Sequence, residues 1–121
     1  MKRIIFVFSI LVSVSITAFG ETDAEKIVRI YNTANNLEKS GKYSDAIRYY
    51  TQAYELGEKK LAPMKLAEFY ALGKGTPENI KESDKWLRIA ANNGNAQAQN
   101  MVGDVYYYGM GVVKNLQESA K

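Results

Sequence analysis

The sequence predicts an all-α chain whose helical hairpins stack into a right-handed α-α superhelix, a solenoid, and three observations predict it. The first is an internal repeat. Displaced by thirty-six residues, Ala62 falls on Ala98, Tyr70 on Tyr106, Gly73 on Gly109 and Gly75 on Gly111, and Asn79, Glu82, Ser83 and Lys85 fall on Asn115, Glu118, Ser119 and Lys121. These are eight identities over the twenty-four positions from 62 to 85, where chance gives roughly one or two. Such a period marks a helical unit that buries its apolar face by stacking on a neighbour. The second is that apolar residues recur at three-and-four spacing. The third is that glycines stand where those runs stop.

The amino terminus reads differently from the rest. Met1-Lys2-Arg3 is basic, Ile4 to Phe19 is apolar apart from Ser and Thr, and Ala18 and Gly20 place small residues three and one positions before Glu21. That order is expected of a secretory signal peptide over residues 1–20, cleaved after Gly20, which places the mature chain in the periplasm or outside the cell. The apolar run of sixteen residues falls short of the ~20 that a membrane span requires. No cysteine follows it, so attachment through a lipidated cysteine is excluded, and no membrane span is expected after cleavage.

Composition narrows the chemistry. Without Lys2 and Arg3, fourteen basic residues face thirteen acidic ones. A surface so balanced lacks the basic stripe that a phosphate backbone demands, and nucleic acid is not an expected partner. The chain has neither cysteine nor histidine. Disulfides, the usual zinc ligands and the usual general base are therefore missing, and the sequence argues against an enzyme, a metal or a cofactor.

The helices follow in order. Thr22-Asp23-Ala24-Glu25 has the form of a capping box. Ile27, Ile30, Tyr31, Ala34 and Leu37 then mark one face of a first helix that Ser40-Gly41 ends. Tyr43, Ala46, Ile47, Tyr50, Ala53 and Tyr54 repeat the pattern on a second helix ending near Gly57. A third helix is expected over about 60–72 with Leu66, Phe69 and Tyr70 inward, and with Pro63 confined to its first turn. After a loop at Gly73-Lys74-Gly75-Thr76-Pro77, Asn79 to Glu82 cap a fourth helix expected to bury Ile80, Leu87 and Ala90 beside Trp86. Asn115 to Glu118 repeat that cap one period later. The resulting units are residues 21–58, 59–94 and 95–121.

The hairpin Gly41-x-Tyr43-x-x-Ala46-Ile47-x-x-Tyr50-x-x-Ala53 resembles a tetratricopeptide repeat. The stretch from Ala62 to Lys121 resembles the Sel-one-like subfamily of those repeats. One copy supplies Leu66-Ala67, Tyr70, Gly73-Lys74-Gly75, Asn79, Trp86 and Ala90-Ala91-Asn92-Asn93-Gly94; the next supplies Ala98, Val102-Gly103, Tyr106, Gly109-Met110-Gly111-Val112 and Asn115. Thr76-Pro77, Glu82-Ser83, Glu118-Ser119 and Ala67 depart from the family pattern. The resemblance implies a concave face lined by the first helix of each hairpin. It places Tyr31, Asn35, Met64, Glu68, Asn100, Asp104 and Tyr107 there as partner-binding residues, and implies a protein or peptide partner.

Other chemistry is weak. Gly73-x-Gly75 and Gly109-x-Gly111 are flanked by helices, whereas a phosphate loop follows a strand. Ser83 and Lys85 are two apart on a helix and point to different sides. Asp23/Glu25 and Glu78/Glu82 lie in expected first helical turns, where negative charge offsets the helix dipole. Among the tyrosines, Tyr49 and Tyr107 fall off the inward stripe and are the expected surface rings. Glu68 and Asp104, one period apart, are the remaining carboxylate pair, of the kind a glycosidase holds ~5–9.5 Å apart. An open groove is expected to leave both without the desolvated pocket that raises an acid's pKa.

The function expected from the sequence is thus a non-enzymatic exported adaptor. Its role would be an envelope assembly factor or an immunity protein that neutralises a toxin, with a cell-wall glycan binder or weak hydrolase as the alternative. Lys121 matches Lys85, one residue before Trp86 in the earlier copy. The last hairpin is therefore expected to leave Val102, Val105 and Tyr106 poorly covered and to favour self-association.

Overall fold

Five helices follow one another in the computed structural model, which describes residues 20–108, with side chains described through Gly103. They are α1 (Asp23–Lys39), α2 (Tyr43–Leu56), α3 (Leu61–Leu72), α4 (Ile80–Asn92) and α5 (Ala96–Tyr108), with no strand among the described residues. Each helix packs on the next in sequence. The fold is the all-α solenoid of stacked hairpins that the periodicity predicts. The candidate export segment and the cap expected at Asn115 lie outside the described residues.

Local signals set the boundaries. Thr22 Oγ1 accepts from the Glu25 N–H, and Glu25 Oε2 accepts from the Thr22 N–H at 2.9 Å, so the capping box is complete. Gly41 takes φ +76 as the chain leaves α1. Asn79 caps α4, its Oδ1 accepting from the Glu82 N–H at 3.1 Å. Glu78 precedes that cap, so of the expected acidic pair only Glu82 occupies the first turn. Glu58 supplies a cap not expected from the sequence: its carboxylate accepts from the backbone N–H groups of Leu61 and Ala62 at the start of α3. Pro63 sits two residues further on, in the first turn.

Alanines carry the packing. Ala34, Ala46, Ala53, Ala62, Ala67, Ala71, Ala90 and Ala98 are all fully buried, which lets helix backbones approach closely. Helix α3 lies between α2 and α4 and is buried on several sides, with Ala62, Pro63, Met64, Leu66, Ala67, Phe69 and Ala71 inside. Such a helix is apolar almost all round and shows little directional pattern. In α4, Leu87 and Ala90 are buried as expected, and Trp86 is 8 % exposed with Tyr54 edge-on at 4.8 Å. Ile80 departs from expectation, being 58 % exposed. It occupies the first position of α4, directly after the Asn79 cap.

The turn between α4 and α5 is held across the structure. Asn95 is 7 % exposed. Its Oδ1 accepts from the Ala98 N–H at 2.9 Å while its Nδ2 donates to the Lys60 carbonyl at 3.0 Å. One side chain therefore caps α5 and ties it to the loop before α3. Asn95→Ala is expected to cost about 2 kcal/mol, from the lost cap and the carbonyl left without that donor. Asn95→Asp is expected to recover only the capping part, and urea unfolding of the two variants reads the difference.

Candidate functional site: the face shared by α1 and α3

Tyr31, Asn35 and Glu38 stand at steps of four and three along α1 and form one stripe. Lys65 and Glu68, three apart on α3, face that stripe. The connection is direct: Lys65 Nζ lies 3.3 Å from Glu38 Oε2, with both side chains still partly exposed. Tyr50, rising from α2 beneath, donates its hydroxyl to Glu38 Oε1 at 2.7 Å. The Tyr31 ring meets Tyr50 edge-on at 5.3 Å, and Tyr50 in turn lies 5.8 Å from Phe69. A polar surface thus rests on an aromatic floor that belongs to the core.

The electrostatics follow from partial burial. Burial pushes the Glu68 carboxyl above its ordinary range, and the nearby charge of Glu38 adds to this, while Lys65 and Lys74 oppose it. Burial likewise raises the Tyr31 phenol, with Glu58, Glu38 and Glu68 contributing in the same direction. The expectation that an open face leaves Glu68 without desolvation is therefore corrected.

Because its pKa is higher folded than unfolded, Glu68 favours the native state when protonated. Its contribution is complete below the ordinary carboxylate range and is lost as pH rises through its folded value. Glu68→Gln is expected to stabilise the protein at neutral pH by less than about 1 kcal/mol, the usual ceiling for solvent-screened charges. That gain is expected to vanish in acid, as urea unfolding at the two pH values would show.

Of the residues expected to bind a partner, Tyr31, Asn35 and Glu68 are half-buried on the first helices, and Asn100 is exposed on α5. Met64 is not on the surface: it is 5 % exposed and packs in the core. One residue along a helix turns the side chain by roughly 100°, and Lys65 takes the outward place that the sequence reading assigned to Met64. The side chains of Asp104 and Tyr107 lie outside the described residues, so the Glu68–Asp104 separation has no measured value. Sequence reasoning missed Glu38, Lys65 and Tyr50. The four-and-three continuation from Tyr31 and Asn35 marks Glu38 in the sequence, but nothing local marks its pairing with Lys65, twenty-seven positions away.

Tyr49 is half-buried on α2, with the Arg48 guanidinium 5.6 Å from its ring centre. Gly73 and Gly75 both take positive φ, in a loop flanked by α3 and α4. Among the described residues no group of three or more His, Cys, Asp or Glu is placed to hold a metal ion. Among the same residues no helix is long and apolar enough to cross a membrane.

Helical hairpins stacked on buried alanines, with a polar first-helix face left over, define a helical-repeat scaffold. Comparison with protein families makes this specific: the Sel1 repeat model matches residues 36–58, 62–95 and 96–121, and the chain belongs to the Sel1 repeat family. Sel1 repeats commonly mediate protein–protein interaction, and the family is generally non-catalytic. No curated protein and no solved structure gives a significant match.

Proposed function

We propose that this protein is an exported, non-enzymatic adaptor that binds a protein partner on the face formed by the first helices of its repeats. The observation that carries the reading is the face of Tyr31, Asn35, Glu38, Lys65 and Glu68. These side chains stay partly exposed after the hairpins have stacked, in a family whose repeats commonly serve protein interaction. Asp104 of α5 corresponds to Glu68 in the thirty-six-residue register, and the exposed Asn100 stands on the same helix. Export rests on the order of residues 1–20, and the role as an envelope assembly factor or toxin-neutralising immunity protein rests on export.

The test immobilises residues 21–121 and captures partners from envelope extract, comparing the native chain with the double variant Glu68→Lys, Asp104→Lys. The variant is expected to keep its helical content while losing the partner that the native chain retains. Equal capture by both would remove this face from the interaction. The alternative reading is a cell-wall glycan binder or weak hydrolase using Glu68 and Asp104. Co-sedimentation with insoluble peptidoglycan, abolished by Asp104→Asn and Tyr107→Ala, would support that reading instead.

A further inference from the structure

The second helices α2 and α4 stop alike. Each is followed by a glycine at positive φ, Gly57 at +127 and Gly94 at +93. The residue before that glycine differs, being Leu56 in the first case and Asn93 in the second. Asn93–Gly94 is the one place in the sequence where asparagine precedes glycine. This dipeptide carries a reaction of its own. The glycine nitrogen can attack the amide carbon of the asparagine side chain and close a five-membered imide, and glycine has no side chain to obstruct the approach.

Asn93 is exposed, so water reaches its amide. The fold nevertheless holds both reacting groups. Asn93 Nδ2 donates to the Ile89 carbonyl at 2.8 Å, and the Gly94 N–H donates to the Ala91 carbonyl at 3.1 Å. Gln99 Nε2, from α5, donates to that same Ala91 carbonyl at 3.0 Å, and the Asn95 N–H donates to the Ala90 carbonyl at 3.0 Å. The last turn of α4 must therefore open before the Gly94 nitrogen can turn onto the side chain.

We propose that Asn93 is a site of spontaneous deamidation, gated by the last turn of α4, whose product loosens α5 from α4. The Gly94 nitrogen loses its proton to hydroxide and bonds to Asn93 Cγ, the Cγ–Nδ2 bond breaks, and ammonia leaves with a proton from water. Water then opens the imide at either carbonyl, giving aspartate or isoaspartate. Both products place a negative charge where the Ile89 carbonyl had a donor, at the negative end of the α4 dipole. Isoaspartate also routes the main chain through Cβ and Cγ, one atom longer. That extra atom falls directly before the residues that lead to Asn95, whose side chain caps α5 and holds the Lys60 carbonyl.

The test keeps the purified protein at mildly alkaline pH for days, native and in urea, and follows the Asn93 peptide for the mass gain of amide-to-acid conversion. Conversion is expected to be at least about tenfold slower in the native protein than in urea, because only the open form reacts. No conversion in urea would overturn the site, and equal rates would overturn the gate. Asn95→Ala is expected to speed the native reaction severalfold and leave the rate in urea unchanged; an unchanged native rate would count against the gate. The isoaspartate form, once separated, is expected to exchange its α5 amide hydrogens faster than both the unmodified chain and Asn93→Asp. Exchange identical to that of the unmodified chain would overturn the loosening.

Discussion

Tyr50→Ala is expected to destabilise the protein by about 3–5 kcal/mol, the range for removing a buried aromatic ring. Tyr50 is fully buried and joins three helices. Its ring lies against Tyr31 of α1 and Phe69 of α3, and its hydroxyl donates to Glu38, which also holds Lys65. Truncation would leave a cavity between the first two repeats and strip the polar face of its floor. Tyr50→Phe separates the parts: it keeps the ring and is expected to cost about 1.5–3 kcal/mol, as for a hydrogen bond to a charged acceptor. Burial, reinforced by Glu38, raises the phenol's pKa far above its ordinary value of 10.0. The native state therefore holds this proton longer than the unfolded chain does. Its contribution is complete below pH 10 and falls as the pH climbs beyond it, so Tyr50→Phe is expected to blunt alkaline unfolding. Urea titrations across that pH range check both statements.

Gly75→Ala is expected to be the most costly of the loop substitutions, at about 2–4 kcal/mol. Part of this is intrinsic, because an L side chain at positive φ costs roughly 1–2 kcal/mol. The rest arises from the contact, since the new methyl would fall 2.4 Å from Ser44 N, a backbone atom with no rotamer to yield. Gly73→Ala is the matched control. It has a similar φ of +66, but its nearest neighbour is Glu78 N at 3.3 Å, within its own loop. Its cost is expected to stay near the intrinsic part alone. In a solenoid, stability is close to a sum of unit and neighbour terms, so weakening one interface loosens the coupling between units. Gly75→Ala is accordingly expected to lower the midpoint and to broaden the urea transition relative to Gly73→Ala. A broadened transition in both variants, or in neither, would count against a specific inter-repeat contact.

Part of the candidate face was legible in the sequence and part was not. Tyr31 and Glu68 were picked out because the family resemblance puts the first helix of each hairpin on the concave face, and both are half-buried there. Met64 was misplaced because α3 is apolar on nearly every side, so its pattern does not say which flank meets solvent. Glu38 and Lys65 escaped for another reason. A charged residue on a helix looks the same in sequence whether it is solvated or paired with another helix.

The sequence by itself determined the elements and their order. Thr22, Gly41, Pro63, Gly73 and Asn79 act within one turn of their own positions, and helix starts and stops are local interactions that spacing alone reveals. It also determined the stacked architecture, since a repeat with one apolar face has only its neighbours to bury it against. Tertiary structure alone decided which side chains those neighbours consume. It buried Met64, raised the Glu68 carboxyl, joined Glu38 to Lys65 and Tyr50, pressed Gly75 against Ser44, and left Ile80 in solvent. Apart from the exposed start of α4, each of these brings together residues a dozen or more positions apart, and their approach follows from how closely buried alanines let one helix lie against the next.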